Sequence, residues 1–231
     1  MGKEQLEKIR EVALLYLYTP IKKTSSELVI SHPFANNNIV ASKDMRFLDL
    51  YVPSERQIWE EQMEEWIKKS SLEQIYAILD KRYFFSFLNH TEEYLNAKMM
   101  AKVLACRWQQ LEYISNNEVA STHKILKWFH FADKKELMGK EEYQKFLNLP
   151  KEITIYRGVS VYNKKYRKAV SWTLNKERAI WFSKRWGNKG QEIWKVTVPK
   201  ECILCYFEYE DEVIVDLTKI PYSQYEIYKQ E

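Results

Sequence analysis

Apolar residues in the N-terminal part of the chain recur with the spacing of α-helices. In residues 3–18, Leu6, Ile9, Ala13 and Tyr16 follow one another at intervals of three and four, which places them on one side of a helix. The same pattern predicts helices at residues 54–69, 71–88, 91–115, 121–131 and 140–147. Between residues 29 and 50 no regular period is present, and consecutive asparagines there indicate a turn or an exposed loop.

The period of the apolar pattern changes after Pro150. Proline discourages continuation of a helix, so the last predicted helix ends before it. Apolar and polar residues then alternate, which is typical of strands. Strands are predicted at residues 153–157, 168–173, 191–198, 202–207, 211–217 and 223–228. One helix, at residues 175–186, interrupts them, with Thr173 or Asn175 as its N-cap and Gly187 as its stop signal. The sequence therefore predicts an α+β fold, with a helical N-terminal region followed by a β-rich part.

The composition of the 231-residue chain is that of a globular protein rich in aromatic residues, which make up 15% of it. No apolar run reaches the roughly 18 residues of a membrane-spanning helix. The N-terminus opens directly into a helical pattern without an apolar signal segment, so we expect a cytoplasmic protein with no membrane association. The net charge of +4 allows anionic ligands and does not demand nucleic acid.

Neither the cysteines nor the histidines have the spacing of a metal site. The chain contains three cysteines, an odd number that argues against a disulfide framework. Cys202 and Cys205 form a CxxC motif, but both lie in a predicted strand, where residues three apart point to opposite faces. The four histidines are spread over the helical part without a pattern such as HExxH. We therefore expect buried, unreactive cysteines and no bound metal.

Three short polar motifs follow one another in the β-rich part. They are Tyr156-Arg157-Gly158, Ser171-Trp172-Thr173 and Glu210-Asp211-Glu212. Neighbouring strands would thus present an arginine, a hydroxyl and a pair of carboxylates. Such side chains could hold an anionic dinucleotide and stabilise a cation that forms at a sugar carbon. Taken singly, the motifs are better explained as a surface arginine, ordinary strand hydroxyls and a solvated acidic turn, so the hypothesis depends on their combination.

Together the motifs resemble those of the mono-ADP-ribosyltransferases of the arginine–serine–glutamate type, which include clostridial binary toxins and vertebrate ecto-transferases. That family has an arginine on the first core strand, a Ser-Thr-Ser-like triplet followed by a helix, and a Glu-x-Glu on a later strand. The resemblance covers residues 153–217. The triplet departs from the pattern, because Trp172 replaces its central threonine and Thr173 its last serine. In a strand Ser171 and Thr173 share a face while Trp172 points into the core, so the first hydroxyl is kept.

The resemblance implies a split β-sandwich core and NAD as the substrate. It makes residues 71–231 an ADP-ribosyltransferase-like domain, with helices over 71–150 and the catalytic core over 151–231. Residues 1–70 are then a helical segment whose role the resemblance does not cover. Nothing in the sequence resembles a Walker loop or a Rossmann glycine fingerprint, so NAD would be bound without either.

The resemblance also implies a role for each site residue. Arg157 would hold the NAD pyrophosphate or the adjoining ribose, and Ser171 would orient the catalytic carboxylate or the nicotinamide ribose. Glu212 would place its charge beside the oxocarbenium-like sugar that forms as nicotinamide leaves. Glu210, on the same strand face, would orient or deprotonate the acceptor. Further contacts to NAD would come from Gly158, Thr173, Arg185 and Trp186.

The sequence thus predicts an NAD-dependent mono-ADP-ribosyltransferase whose acceptor is a macromolecule, either a protein side chain, arginine first, or a nucleic-acid base. The habits of the family favour a phage or prophage modifier of host components, or a defence toxin. Two alternatives stay open: an NAD glycohydrolase, and a catalytically silent module that binds protein or RNA. Aromatic and basic residues alternate between Trp172 and Trp194 and could form a nucleic-acid surface, although such aromatics more often belong to a core.

Overall fold

The computed structural model describes residues 2–111, 119–160, 163, 169–185, 187 and 192–229. The chain divides into two compact units, Met1–Glu112 and Tyr113–Glu231. The boundary predicted between residues 70 and 71 lies inside the first unit, where helices from both sides of it pack together. Among the described residues, no helix is long and apolar enough to cross a membrane, and no group of His, Cys, Asp and Glu side chains is arranged to hold a metal ion.

Helices form most of the first unit. They are α1 (Lys3–Leu17), α2 (Pro53–Lys69), α3 (Leu72–Ile78), α4 (Phe84–Thr91) and α5 (Ala97–Arg107). α1 packs against α2, α3 and α4 through an apolar side that includes Ile9 and Ala13, as its sequence predicts. Aromatic rings fill the core beneath it, with Tyr76 and Phe87 in edge-to-face contact at 5.1 Å between ring centroids.

Two predicted helices of this unit are shorter in the structure. The segment 71–88 is divided into α3 and α4, because Leu79 is extended and the Asp80 carboxylate accepts a hydrogen bond from the main-chain N–H of Arg82 at 2.9 Å. This bond caps a short 3-10 turn between the two helices. The segment 91–115 contains α5, which begins later and ends earlier than the apolar pattern indicates, while residues 112–115 of this prediction lie outside the described residues.

Short strands occupy the part of the first unit in which no regular element was expected. They are β1 (Lys22–Lys23), β2 (Val29–His32), β3 (Ala35–Asn37), β4 (Ile39–Ala41) and β5 (Phe47–Asp49). β1, β2 and β3 form one antiparallel sheet, and β4 pairs with β5 in another. Strands of two to four residues are too short to show an alternation in the sequence, which explains why they were missed.

Within the described residues, the second unit is a six-stranded antiparallel sheet with helices packed against it. Its strands are β6 (Glu152–Val159), β7 (Ser171–Thr173), β8 (Glu192–Pro199), β9 (Ile203–Phe207), β10 (Glu212–Val215) and β11 (Glu226–Lys229). They lie in the order β11-β8-β6-β7-β10-β9. The helices are α6 (Thr122–Phe131), α7 (Lys134–Leu137), α8 (Lys140–Leu147) and α9 (Lys176–Lys184). The predicted α+β class, with a helical N-terminal region and a β-rich C-terminal part, is confirmed.

The sheet is nearly divided between β6 and β7. β6 pairs with β8 along its whole length, but among the described residues it pairs with β7 only where Tyr156 lies opposite Thr173. β7 in turn pairs with β10 through all three of its residues. The two halves of the sheet therefore separate beside Arg157 and Ser171, and this opening leaves main-chain polar groups that side chains have to satisfy.

Candidate active site

Ser171 and Glu212 meet on one face of the sheet, across the ladder between β7 and β10. Glu212 lies opposite Thr173 and Ile214 opposite Ser171, and opposite residues of antiparallel strands share a face. Ser171 is therefore a diagonal neighbour of Glu212, and its hydroxyl donates a hydrogen bond to Oε1 of Glu212 at 2.5 Å. Glu212 is only 7% exposed. A buried carboxylate held by a hydroxyl has a fixed orientation, as a group that acts on a reacting atom requires.

The Arg157 side chain closes the opening between β6 and β7. Its Nη1 donates a hydrogen bond to the main-chain carbonyl oxygen of Ser171. On the β6 side, the Asn163 amide donates to the carbonyl oxygen of Gly158 at 3.1 Å. These side chains satisfy main-chain acceptors where regular strand pairing stops. Arg157 thereby positions the residue whose hydroxyl holds the Glu212 carboxylate.

The Arg157 guanidinium is a part-buried cation that is only partly satisfied. Burial lowers the pKa of Arg157 to about 10, while the negative charge of Glu212 acts in the opposite direction, so the group stays protonated at neutral pH. Its Nε is buried and has no hydrogen-bond partner among the described residues. A buried donor left without a partner costs about 1–3 kcal/mol. Such a donor is a candidate for contact with a ligand.

Glu210 lies in the turn between β9 and β10 and not on a strand. β10 begins at Glu212, and Asp211 before it has the left-handed φ of +47°. Alternation along a strand does not extend through such a residue, so the prediction that Glu210 and Glu212 share a strand face is wrong. The Asp211 carboxylate accepts a hydrogen bond from the Tyr206 hydroxyl at 2.9 Å, and its carbonyl oxygen accepts from the N–H of Leu174 at 2.9 Å. These bonds fix the turn against the end of β7.

The Glu210 carboxyl is half-buried between the turn and α9. This burial raises the pKa of Glu210 above its usual value, although the positive charges of Arg178 and Arg185 act to lower it. A carboxylate with a raised pKa is a stronger base than an exposed one. Glu210 is therefore suited to accept a proton from a bound nucleophile.

Thr173 holds the Glu210 turn from the side of β7. Its hydroxyl donates to the carbonyl oxygen of Glu210 at 2.9 Å and accepts from the main-chain N–H of Asn175 at 3.1 Å. Asn175 is the N-cap of α9, as predicted, because its side chain accepts from the N–H groups of Glu177 and Arg178. Since the Thr173 side chain is buried and bonded in both directions, we assign it a positioning role, and its contact with NAD stays a prediction.

Replacing Thr173 by valine should destabilise the second unit by about 1–3 kcal/mol, because the Glu210 carbonyl and the Asn175 N–H both lose a partner. Urea denaturation monitored by tryptophan fluorescence measures this change in the free energy of unfolding. Thr197→Val is the matched control, because the Thr197 hydroxyl is exposed and bonds the exposed hydroxyl of Thr154 at 2.9 Å. We expect the control to change the free energy of unfolding by less than about 0.5 kcal/mol. Equal effects of the two substitutions would contradict the role given to Thr173.

Gly158 is the point at which α9 touches β6. A Cβ atom at this position would lie 2.1 Å from the carbonyl oxygen of Ala179 and 2.6 Å from the main-chain nitrogen of Ser183, both in α9. Glycine allows a helix to approach a strand this closely. We therefore assign Gly158 to the packing of α9 on β6, and its predicted contact with NAD stays a prediction.

Arg185 and Trp186 were predicted to contact NAD from the segment after α9. Arg185 is the C-terminal cap of α9, and its guanidinium carbon lies 5.4 Å from the ring centroid of Trp181. The prediction for Trp186 falls outside the described residues. Trp181, which lies within the aromatic and basic stretch noted in the sequence, is half-exposed beside Arg185.

Trp172 packs on the side of β7 that faces away from Ser171. Its ring lies 6.0 Å from that of Tyr225, and its indole N–H donates to the carbonyl oxygen of Ala169 at 2.8 Å. The prediction that this substitution in the triplet sends a bulky residue into the core is confirmed. Cys205 is also buried, and its burial raises the pKa of the thiol well above the usual value, as expected of an unreactive cysteine. The prediction is wrong for Cys202, which lies in a short 3-10 turn before β9 and is only partly buried.

Sequence reasoning missed the residues that hold the main chain of the site. Asp211 is one of them, and the only signal for it is that aspartate tolerates the left-handed conformation better than most residues. Tyr206 and Asn163 gave no signal, because their partners are a side chain and a main-chain carbonyl that only the folded sheet brings near.

The site combines a buried, oriented carboxylate with a protonated guanidinium and a second acid in the adjoining turn. This arrangement can attract an anionic ligand to Arg157 and stabilise a positive charge that forms beside Glu212. No protein-family model matches the chain, and neither a curated protein nor a solved structure is significantly similar to it.

Proposed function

We propose that the chain is an NAD-dependent mono-ADP-ribosyltransferase that cleaves the nicotinamide–ribose bond and transfers ADP-ribose to a macromolecular acceptor. One observation carries this proposal: Ser171 binds Glu212 through its hydroxyl and Arg157 through its carbonyl oxygen, although the three residues are distant in sequence. Their order on the strands, with a helix after the second motif, supports the resemblance found in the sequence. The opening between β6 and β7 supports the split core that the resemblance implies.

NAD suits the chemistry of these residues. Its pyrophosphate is an anion, and Arg157 supplies a cation with a buried N–H group that lacks a partner among the described residues. The nicotinamide ribose carries a 2′-hydroxyl that can donate to the Glu212 carboxylate. Arg157 and Glu212 would thus bind the pyrophosphate and the nicotinamide ribose, both of which belong to the ADP-ribose part that remains when nicotinamide leaves.

Cleavage separates nicotinamide from C1′ of the ribose. The bonding electron pair leaves with nicotinamide, and a positive charge develops on C1′ and the ring oxygen. Glu212 stabilises this charge at short range, and because Ser171 already fixes the carboxylate, no reorientation is needed as the charge forms. Burial strengthens the effect, since little water is present to screen the carboxylate.

Transfer then needs a nucleophile and a base. The acceptor attacks C1′ with a lone pair and loses a proton, and Glu210, with its raised pKa, accepts that proton. Glu210→Gln should therefore slow transfer by about 10²-fold or more while leaving cleavage of NAD to ADP-ribose largely intact.

The pH dependence of transfer provides a second test of Glu210. The pKa of Glu210 lies above the ordinary value of 4.5. When the pH is lowered, Glu210 therefore becomes protonated, and transfer slows, at a higher pH than it would with an exposed glutamate as the base. We expect the rate of ADP-ribose transfer to fall at acidic pH in the wild type and in Glu208→Gln, and we expect this fall, the acidic limb of the pH profile, to be absent in Glu210→Gln. An identical limb in all three proteins would contradict the role of Glu210 as the base.

Hydrolysis of NAD is the second candidate function. One observation favours it: Ser171 holds the Glu212 carboxylate and accepts from Arg157, so the residues proposed to break the bond to nicotinamide are joined by hydrogen bonds that do not pass through Glu210. Water would then replace the acceptor, and free ADP-ribose would be the product.

Incubation of the full chain with adenylate-labelled NAD and cell lysate distinguishes the candidates. Transfer predicts label in a macromolecular fraction, whereas hydrolysis predicts label only in free ADP-ribose. Treatment of the labelled fraction with protease or with nuclease identifies the kind of acceptor. Unchanged NAD in every lysate tested would contradict both functions.

A further inference from the structure

The solvent side of α9 carries an arginine, a tryptophan and a second arginine in one line. Arg178, Trp181 and Arg185 are three and four residues apart, so they occupy one side of the helix and its C-terminal cap. All three are exposed, with Trp181 50% exposed, and the Arg185 guanidinium carbon lies 5.4 Å from the Trp181 ring centroid. We call these three residues the α9 stripe.

The opposite side of α9 is buried and explains why the stripe faces outward. Ala179 and Ser183 are fully buried, and both touch β6 at the position of Gly158. Trp181 therefore lies on the side of α9 that faces away from the core, although a tryptophan in a globular protein usually buries most of its surface. An exposed tryptophan between two arginines is better explained as a binding surface than as part of the packing.

The α9 stripe begins next to Glu210, the residue proposed to take a proton from the acceptor. Asn175, the N-cap of α9, donates from its side-chain amide to the Asp211 carboxylate at 3.4 Å, and Thr173 donates to the Glu210 carbonyl. These contacts join the first turn of α9 to the turn that carries Glu210. The positive charges of Arg178 and Arg185 consequently act on the Glu210 carboxyl.

The charges of the stripe favour one class of acceptor over another. An arginine side chain that approached Glu210 would carry its own positive charge toward two guanidinium groups, which repel it. A nucleic-acid strand would bring phosphates that those guanidinium groups attract and bases that can stack on the exposed indole. Bases and aromatic rings stack whatever the base sequence, so the stripe needs no particular sequence to bind.

We propose that the α9 stripe binds single-stranded nucleic acid and that a base of this strand is the acceptor of ADP-ribose, an inference that rests on the proposed function. Trp181 stacks on a base, and Arg178 and Arg185 pair with phosphates on either side of it. The neighbouring base reaches Glu210. An exocyclic amine of that base attacks C1′ with its nitrogen lone pair as the bond to nicotinamide breaks. The electron pair of the broken bond stays on nicotinamide, and the proton of the amine passes to Glu210.

Binding of a fluorescein-labelled, single-stranded oligonucleotide to the full chain tests the surface without any need for catalysis. Trp181→Ala should weaken binding about tenfold or more, because it removes the stacking partner of a base. The matched control is Phe131→Ala, which removes a half-exposed aromatic ring from the end of α6. Arg178→Ala should lower the slope of log K against log salt by about one, since one phosphate contact is lost. Affinity that is equal in the wild type and Trp181→Ala, or no binding at all, would overturn the proposal.

Label transfer tests the acceptor, and nicotinamide release tests the proposed function separately. With adenylate-labelled NAD, we expect label in single-stranded oligonucleotides and none in an arginine-rich protein such as a histone. Nicotinamide release with label only in the protein, or only in free ADP-ribose, would overturn the nucleic-acid acceptor and leave NAD cleavage standing. The absence of nicotinamide release would overturn the proposed function itself, whatever the oligonucleotide affinity.

Discussion

Glu212→Gln should slow nicotinamide release from NAD by about 10³-fold. Glutamine has the same shape as glutamate and can still accept the hydrogen bond of Ser171 through its amide oxygen. It carries no charge, however, and so cannot stabilise the cation that forms at C1′. The substitution therefore separates the electrostatic role of Glu212 from its place in the sheet. The rate of nicotinamide release by purified protein is the measurement.

Glu208→Gln is the matched control for this substitution. Glu208 lies in the turn that leads to β10, is exposed, and forms an ion pair with Lys145 at the surface. Loss of such a pair changes stability by at most about 1 kcal/mol, and we expect a rate close to that of the wild type. The thermal midpoint of Glu212→Gln should be lower, because the Arg157 guanidinium loses the negative charge that acts on it, so the rates are compared at a temperature at which both proteins are folded. Nicotinamide release at the wild-type rate by Glu212→Gln would refute the catalytic role of this residue.

Gly158→Ala should destabilise the second unit by about 3 kcal/mol. The new methyl group would meet the backbone of α9 at 2.1 and 2.6 Å, and backbone atoms cannot move aside as the end of a flexible side chain can. Either α9 shifts away from β6, or the strand bends. Both responses also disturb the site, because α9 is joined to the Glu210 turn through Asn175. Urea denaturation measures the change in the free energy of unfolding.

Gly139→Ala is the corresponding control. Gly139 is the N-cap of α8, and a Cβ atom there would meet nothing closer than the flexible end of the Glu142 side chain at 3.4 Å. We expect a loss of about 1 kcal/mol or less, as for other poor N-caps. A Gly158→Ala protein as stable as the control would show that α9 does not rest directly on β6.

The secondary structure of the second unit could largely be predicted from the sequence, because its strands alternate and its helix α9 begins at a recognisable cap. The placement of Trp172 followed from the same alternation. The first unit was harder to predict, since β1 to β5 are too short to show a period. The division between α3 and α4 depends on one carboxylate, that of Asp80, which an apolar pattern does not register.

The sequence could predict that Ser171 orients a carboxylate, but it could not predict the other contacts around Ser171 and Glu212. The hydrogen bond from Arg157 to the Ser171 carbonyl exists because β6 and β7 separate at that point, and separation of strands leaves no trace in the sequence. Glu210 was misplaced on a strand because the left-handed φ of Asp211 breaks the alternation. The motif Glu210-Asp211-Glu212 therefore combines a turn residue and a strand residue with different surroundings.

The different surroundings of the two glutamates agree with their different proposed roles. Glu212 is buried and held by Ser171, which suits a charge that must stay in place. Glu210 is half-buried in a turn beside the α9 stripe, which suits a base that meets an incoming acceptor. Substitutions at the two positions should for this reason affect cleavage and transfer unequally.

The proposed function requires that this site breaks the bond between nicotinamide and ribose. The decisive measurement is the identification of the products that the purified full chain forms from NAD, with and without cell lysate. We expect nicotinamide together with an equal amount of ADP-ribose, either free or attached to an acceptor. Intact NAD under all conditions, or cleavage at the pyrophosphate to AMP and nicotinamide mononucleotide, would contradict it.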